Sequence, residues 1–117
     1  MLWPAAPFLK CHLIVLTDAR AISAAETLLQ IVRDNHLATL IGEPTAGTNG
    51  DVNTFSVPGE FEIRFTGLRT AAVDGSTIQG HGIIPDNVVH PTIEGIRAGR
   101  DEILEAGIAA AQGLTSK

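Results

Sequence analysis

The sequence predicts an α/β fold, and three consecutive segments carry that expectation. Residues 12–16 (HLIVL) are a short apolar run rich in β-branched side chains, the composition of a strand covered on both faces. From Ser23 to about Asn35, Ala25, Leu28, Leu29 and Val32 recur at i, i+3, i+4 and i+7, the apolar face of a helix. Residues 37–41 (LATLI) form a second apolar run. Strand, helix and strand within roughly 30 residues make a βαβ unit with a right-handed crossover.

The remaining elements follow in order. Residues 42–50 (GEPTAGTNG) have the Gly/Pro/Thr/Asn composition of a turn-rich loop. Residues 52–57 (VNTFSV) and 61–67 (FEIRFTG) read as two strands joined at Pro58-Gly59. Phe61, Ile63 and Phe65 alternate with Glu62 and Arg64, which predicts one buried and one wet face. Residues 68–73 extend or pair with this hairpin, and 74–82 (DGSTIQGHG) form another glycine-rich loop. Residues 83–89 (IIPDNVV) are expected to start as a short strand and to change course at Pro85. Helices are expected near 92–98 and 101–112, the second ending at Gly113.

Composition narrows the function classes. The 117 residues suit one small domain, 44% hydrophobic and 18% charged, with mean hydropathy +0.21. A net charge of -5 without a basic stripe argues against a nucleic-acid partner. The single Cys11 rules out an internal disulfide framework. No apolar run approaches the ~20 residues of a membrane span. The opening MLWPAAPFLK lacks a basic leader and is interrupted by Lys10, so it does not read as a signal peptide. The chain enters its first strand almost at once, which is abrupt for a complete enzyme.

The strongest local feature is the strand that leads into Ser23-Ala-Ala-Glu26 and a helix. A serine at a helix N-terminus sits among free backbone amides, where the helix dipole favours developing negative charge. An acyl-transfer enzyme needs that arrangement: the hydroxyl attacks a carbonyl, and the Ala24 N–H helps to hold the oxyanion. The same four residues also spell a capping box, with Ser23 on the N3 amide and Glu26 reaching back, worth about 1 kcal/mol and requiring no catalysis.

Beyond these residues, four segments in order resemble the tail-specific (C-terminal processing) serine peptidases. VLTDARAISAAE is similar to their strand, loop and Ser-bearing helix start, and GEPTAG to their Gly-Glu-x-Thr-x-Gly loop. DGSTIQGHGIIPD is similar to their Gly-x-Gly-Ile-x-Pro-Asp segment, and GRDEILEAGI to their closing helix. The resemblance implies a ClpP/crotonase-like ββα superhelix, of which residues 1–117 would be the C-terminal part. It implies Ser23 as nucleophile, a peptide or protein substrate, no cofactor and an extracytoplasmic setting. Thr45, Gly47 and Thr48 would line the substrate cleft.

One departure bears on mechanism. Many members carry a lysine base after the Thr-x-Gly of the loop; here Thr48 follows Gly47, and a threonine hydroxyl is no base near neutral pH. Lys10 and Lys117 lie in the wrong segments. The resemblance is therefore to the tricorn-core-like branch, whose base is a histidine from an earlier part of the domain, expected upstream of Met1. Its supporting acid would match Gln79, which is not an acid. His81, in a glycine-flanked loop, is the local substitute for the base.

His12, His36 and His90 read as structural or surface residues, and no His/Cys spacing suggests a metal site. The 42–50 loop lacks the G-x-x-x-x-G-K-[ST] order of a phosphate loop. Two rival expectations stand beside the peptidase. One is a non-catalytic peptide-binding or assembly protein, for which the edge of the 61–67 strand offers strand addition. The other is a crotonase-like acyl-CoA enzyme. An uncovered apolar face would favour self-association.

Overall fold

The computed structural model describes residues 6–7 and 9–115, with the side chains of 114 and 115 left aside. Lys117, excluded above as a base, lies outside the described residues, as does most of the opening segment. The fold is α/β. Strand β1 (Ile14–Thr17) leads through helix α1 (Ala24–Asp34) to β2 (Thr39–Gly42). A hairpin follows, β3 (Val52–Val57) and β4 (Phe61–Thr66). A short strand β5 (Asn87–Val88) and helices α2 (Ile93–Arg97) and α3 (Glu102–Thr115) close the chain.

The main sheet has the order β1-β2-β5 and is wholly parallel, with Val15 opposite Leu40 and Ile41 opposite Asn87. Successive side chains on a strand point to opposite faces. Val15 and Leu40 accordingly share the face that meets Leu29 of α1 with Ile78 and Ile83 from the long β2–β5 connection. Ile14 and Leu16 point the other way, toward Gly107 of α3, where an added Cβ would come within 2.7 Å of Leu16. Helix on one face and helix on the other explain why the strands read as continuous apolar runs.

Several expectations need correction. The buried stripe of α1 is not Ala25-Leu28-Leu29-Val32. Leu29 is buried and Val32 half-buried, but Ala25 is exposed and Leu28 is 61% exposed. Glu26 takes the buried place instead, which rotates the helix so that Glu26 and Leu29 face inward at i and i+3. The apolar face of the hairpin is open as well: Phe55, Phe61, Ile63 and Phe65 are all exposed, because the elements packed on the main sheet do not cover it. Phe55 and Phe65 meet edge to face at 6.2 Å.

Residues 68–73 make one bridge, Ala71 to Thr77, rather than a strand. The short strand expected at the start of 83–89 lies instead after Pro85, at Asn87–Val88. Pro85 has no amide to give the ladder, and Asp86 instead accepts from Leu40 N–H at 2.8 Å, turning the chain onto β2. Gly113 does not end α3, which runs to Thr115. The cost of a helical glycine, ~1 kcal/mol, is carried by the strong helix formers before it, Ala109 to Gln112.

Burial ranks the core. Leu40→Ala should destabilise the protein by about 2–5 kcal/mol, since Leu40 is fully buried. Leu28→Ala should stay within about 0.5 kcal/mol. Urea unfolding of the two variants beside the parent checks this ranking, and equal losses would contradict the observed rotation of α1.

Candidate active site

The site is built where β1 gives way to α1. Asp18 folds the connecting loop: its carboxylate accepts from the Arg20 backbone N–H and from the Arg20 guanidinium, both at 2.8 Å. The Arg20 guanidinium bonded to Asp18 holds that carboxyl below its usual value. Ala21 N–H then donates to Asp18 C=O, and the chain turns sharply at Ser23.

Ser23 has φ 51° and ψ -114°, outside both the helical and the extended regions. For a residue with a Cβ this conformation costs on the order of 1–3 kcal/mol. A capping serine ordinarily takes the extended region and bonds an amide of the first turn with its hydroxyl. Ser23 departs from the extended region, yet both arms of the capping box are in place: Glu26 Oε2 accepts from Ser23 N–H at 3.2 Å, and the Ser23 side chain faces the Glu26 N–H without reaching full hydrogen-bond geometry. The hydroxyl is left exposed at the start of α1. Beside it, Ala24 N–H is the first amide of the helix and has no intrahelical acceptor.

Under this turn lies Glu26, a carboxylate with no exposed surface. Its Oε1 accepts from Thr45 Oγ1 and from Gly47 N–H, each at 2.6 Å. Its Oε2 accepts from Thr48 N–H at 2.9 Å and from Thr48 Oγ1 at 3.3 Å, besides Ser23. Burial pushes the Glu26 carboxyl up, but the hydrogen bonds from Thr45, Gly47, Thr48 and Ser23 together outweigh it and hold it below the ordinary glutamate range. Every one of these donors is uncharged.

The 45–48 loop is pinned from its other side too. Ala46 N–H donates to Ala21 C=O at 3.1 Å, and Ile83 N–H donates to Thr45 Oγ1 at 2.7 Å. Gly47 C=O accepts from Gly80 N–H at 2.8 Å. Gly47 has φ 70°, and a Cβ there would come within 2.7 Å of Gly82 N and 2.8 Å of His81 N. A Cβ at Gly82 would come within 2.2 Å of Thr45 C=O. Only glycine at these two positions lets the two loops approach so closely.

Thr45 and Gly47 are both buried, with the Thr45 hydroxyl and the Gly47 amide committed to Glu26. Thr48 is the one exposed member of the three. Gln79 donates from Nε2 to Leu68 C=O at 2.6 Å, tying its loop to the segment after the hairpin. His81 is exposed, and its Nδ1 lies 3.3 Å from Gln79 C=O within its own loop. Among the described residues, no side chain hydrogen-bonds the Ser23 hydroxyl. A cleft of about 870 Å³ at the C-terminal ends of β1 and β2 is lined by Asp18, Arg20, Ala21, Glu43 and Arg100 among others. Ser23 stands beside this cleft rather than in its lining. Glu26 is the residue that sequence reasoning undervalued: it appeared only as a capping partner. The available signal was an acid standing within a helix's apolar stripe, three residues after the serine.

Comparison with known proteins places the chain among peptidases. The model of peptidase family S41 matches residues 5–89. A Chlamydia pneumoniae protein is 36% identical over 76 residues, which are 62% of this chain and 12% of that protein. The crystal structure of a candidate peptidase from Parabacteroides merdae superposes with a TM-score of 0.78 at 31% identity, over 86% of this chain and 31% of that one. The tricorn protease shares the fold, with a TM-score of 0.76 at 18% identity, over 85% of this chain and 10% of its own. The chain thus spans less than a third of each of these proteins.

The depressed Glu26 carboxyl fixes the sign of an acid effect. A carboxylate whose folded pKa lies below its unfolded value of about 4.3 stabilises fully above that pH and loses the contribution as pH falls through the folded value. Glu26→Gln should cost on the order of 3 kcal/mol near pH 7, because it sets an amide NH₂ against buried donors. The gap to the parent should narrow below about pH 4. Thermal unfolding of both proteins from pH 7 to pH 3 checks this; a gap independent of pH would contradict it.

Proposed function

The chain belongs to peptidase family S41, and on that premise we propose that it carries the nucleophile of a serine peptidase at Ser23. The single observation behind the reading is the strained Ser23 backbone at φ 51°, ψ -114°, which places an exposed serine at the start of α1. Strained conformations of this kind persist where the surroundings over-determine them and gather at active sites. A sharp strand-to-helix turn that lifts a serine hydroxyl is also the device of other acyl-transfer enzymes.

In this reading Ser23 Oγ attacks the carbonyl carbon of a peptide bond, and its proton passes to a general base. Ala24 N–H donates to the oxyanion that forms. The tetrahedral intermediate collapses with cleavage of the C–N bond, the amine leaves with the proton, and water then hydrolyses the Ser23 ester. Among the described residues no base stands at the Ser23 hydroxyl, since Thr48 occupies the position of the lysine of other members and His81 Nδ1 lies against Gln79 C=O of its own loop, so this reading assigns the base to a side chain outside them. Gln79 holds the loop near Leu68 rather than orienting a base.

A second reading is favoured by one observation, the open apolar face of Phe55, Phe61, Ile63 and Phe65. That face suits a module that binds peptides or assembles with other copies without cleaving anything.

Hydrolysis of a fluorescently labelled unfolded protein, by the longest form that the gene encodes, separates the two readings. Turnover that Ser23→Ala reduces at least about a thousandfold is the expected result. Binding of the same substrate without turnover, unchanged in Ser23→Ala, would support the second reading and overturn the first.

A further inference from the structure

We infer that the Glu26 carboxylate and the Thr45 hydroxyl form a positioning relay, which locks the Ser23 backbone to the 79–83 loop in the geometry in which Ser23 reacts. The inference rests on the reading of Ser23 as nucleophile and adds residues to it. A helix cap would need only Ser23 and Glu26. Of the five hydrogen bonds that Glu26 accepts, four come instead from Thr45, Gly47 and Thr48, about twenty residues further along the chain.

The relay has one possible direction. Ile83 N–H can only donate, and it meets Thr45 Oγ1 at 2.7 Å. An ionised carboxylate can only accept, so the single Thr45 hydroxyl proton must point to Glu26 Oε1 at 2.6 Å. The other carboxylate oxygen holds Ser23 N–H. A backbone amide at 83 and a backbone amide at 23 are thus joined through two buried side chains with no freedom to rotate. Thr45 and Glu26 are both buried, so water cannot readily replace a lost partner. Gly47, in contact distance of the 80–82 backbone, carries the same loop and adds a second tie through Gly80. The position of Ser23 relative to the loop that carries Gln79 and His81 is therefore set by Glu26 and Thr45, neither of which touches the reacting atoms.

Three variants of the longest encoded form test this: Thr45→Val, which keeps the volume and loses the hydroxyl; Thr45→Ser, which keeps the hydroxyl; and Glu26→Gln. Amide hydrogen exchange is followed at Ser23, Ile83, Leu40 and Ile41, together with the rate of Ser23 modification by a fluorophosphonate. In Thr45→Val and Glu26→Gln, exchange at Ser23 and Ile83 should rise about tenfold or more beyond whatever rise Leu40 and Ile41 in β2 show, since those two report the global loss of stability. The modification rate should fall about 10- to 100-fold, with the loss in the rate of reaction rather than in probe affinity. Thr45→Ser should restore both. Exchange that rises evenly across all four amides, or a Thr45→Val protein that is modified at the parent rate, would overturn the relay and leave Thr45 a purely structural residue. If the parent itself is not modified, the nucleophile reading falls, and the exchange at Ser23 and Ile83 still decides whether the two segments are locked together.

Discussion

The local structure around Ser23 depends on the burial of one carboxylate. Glu26 has no access to water, and a buried charge is tolerated only where hydrogen bonds replace its hydration. Five donors do so, all from neutral groups, and they tie the start of α1 to the 45–48 loop. The requirement rotates α1 so that Leu28 faces out. It draws the 45–48 loop onto the start of the helix and, through Thr45, brings Ile83 to the same place. The hydrophobic core of Leu29, Leu40, Ile78 and Ile83 lies directly beside this network, so packing and polar satisfaction select the same arrangement.

This arrangement is what a strained backbone at Ser23 requires. A residue at φ 51° relaxes unless its neighbours prevent it, and the Ser23 amide is anchored from below by Glu26 while Ala25 N–H donates back to Ile22 C=O. Ser-Ala-Ala-Glu keeps its capping box, but the glutamate does the closer holding and the Ser23 backbone carries a strain that an ordinary cap lacks. The family S41 membership then gives the turn a chemical context that geometry alone would leave open.

Much of the fold was legible because its signals are local. The βαβ unit follows from two apolar runs and a helical period, and both strands of the hairpin fall within a residue of their expected bounds. The misses have physical causes that a local pattern does not contain. The apolar face of α1 was assigned by counting hydrophobic residues, and a buried acid reversed it. The Phe61-Ile63-Phe65 alternation marks a face that seeks cover, but not whether this chain provides it. The turn from β1 into α1 at Ser23 was legible from the sequence. The role of Thr45 was not, since a threonine in a turn-rich loop reads the same whether its hydroxyl meets solvent or a carboxylate from another element.

The central claim is that Ser23, and no other residue, is the activated hydroxyl of this chain. The most direct test treats the longest encoded form with diisopropyl fluorophosphate, digests it, and locates the adduct by tandem mass spectrometry. The account predicts a single phosphorylated residue, Ser23, with the adduct lost when the protein is first unfolded in urea. An adduct on another residue, or none on a protein shown to be folded, would contradict it.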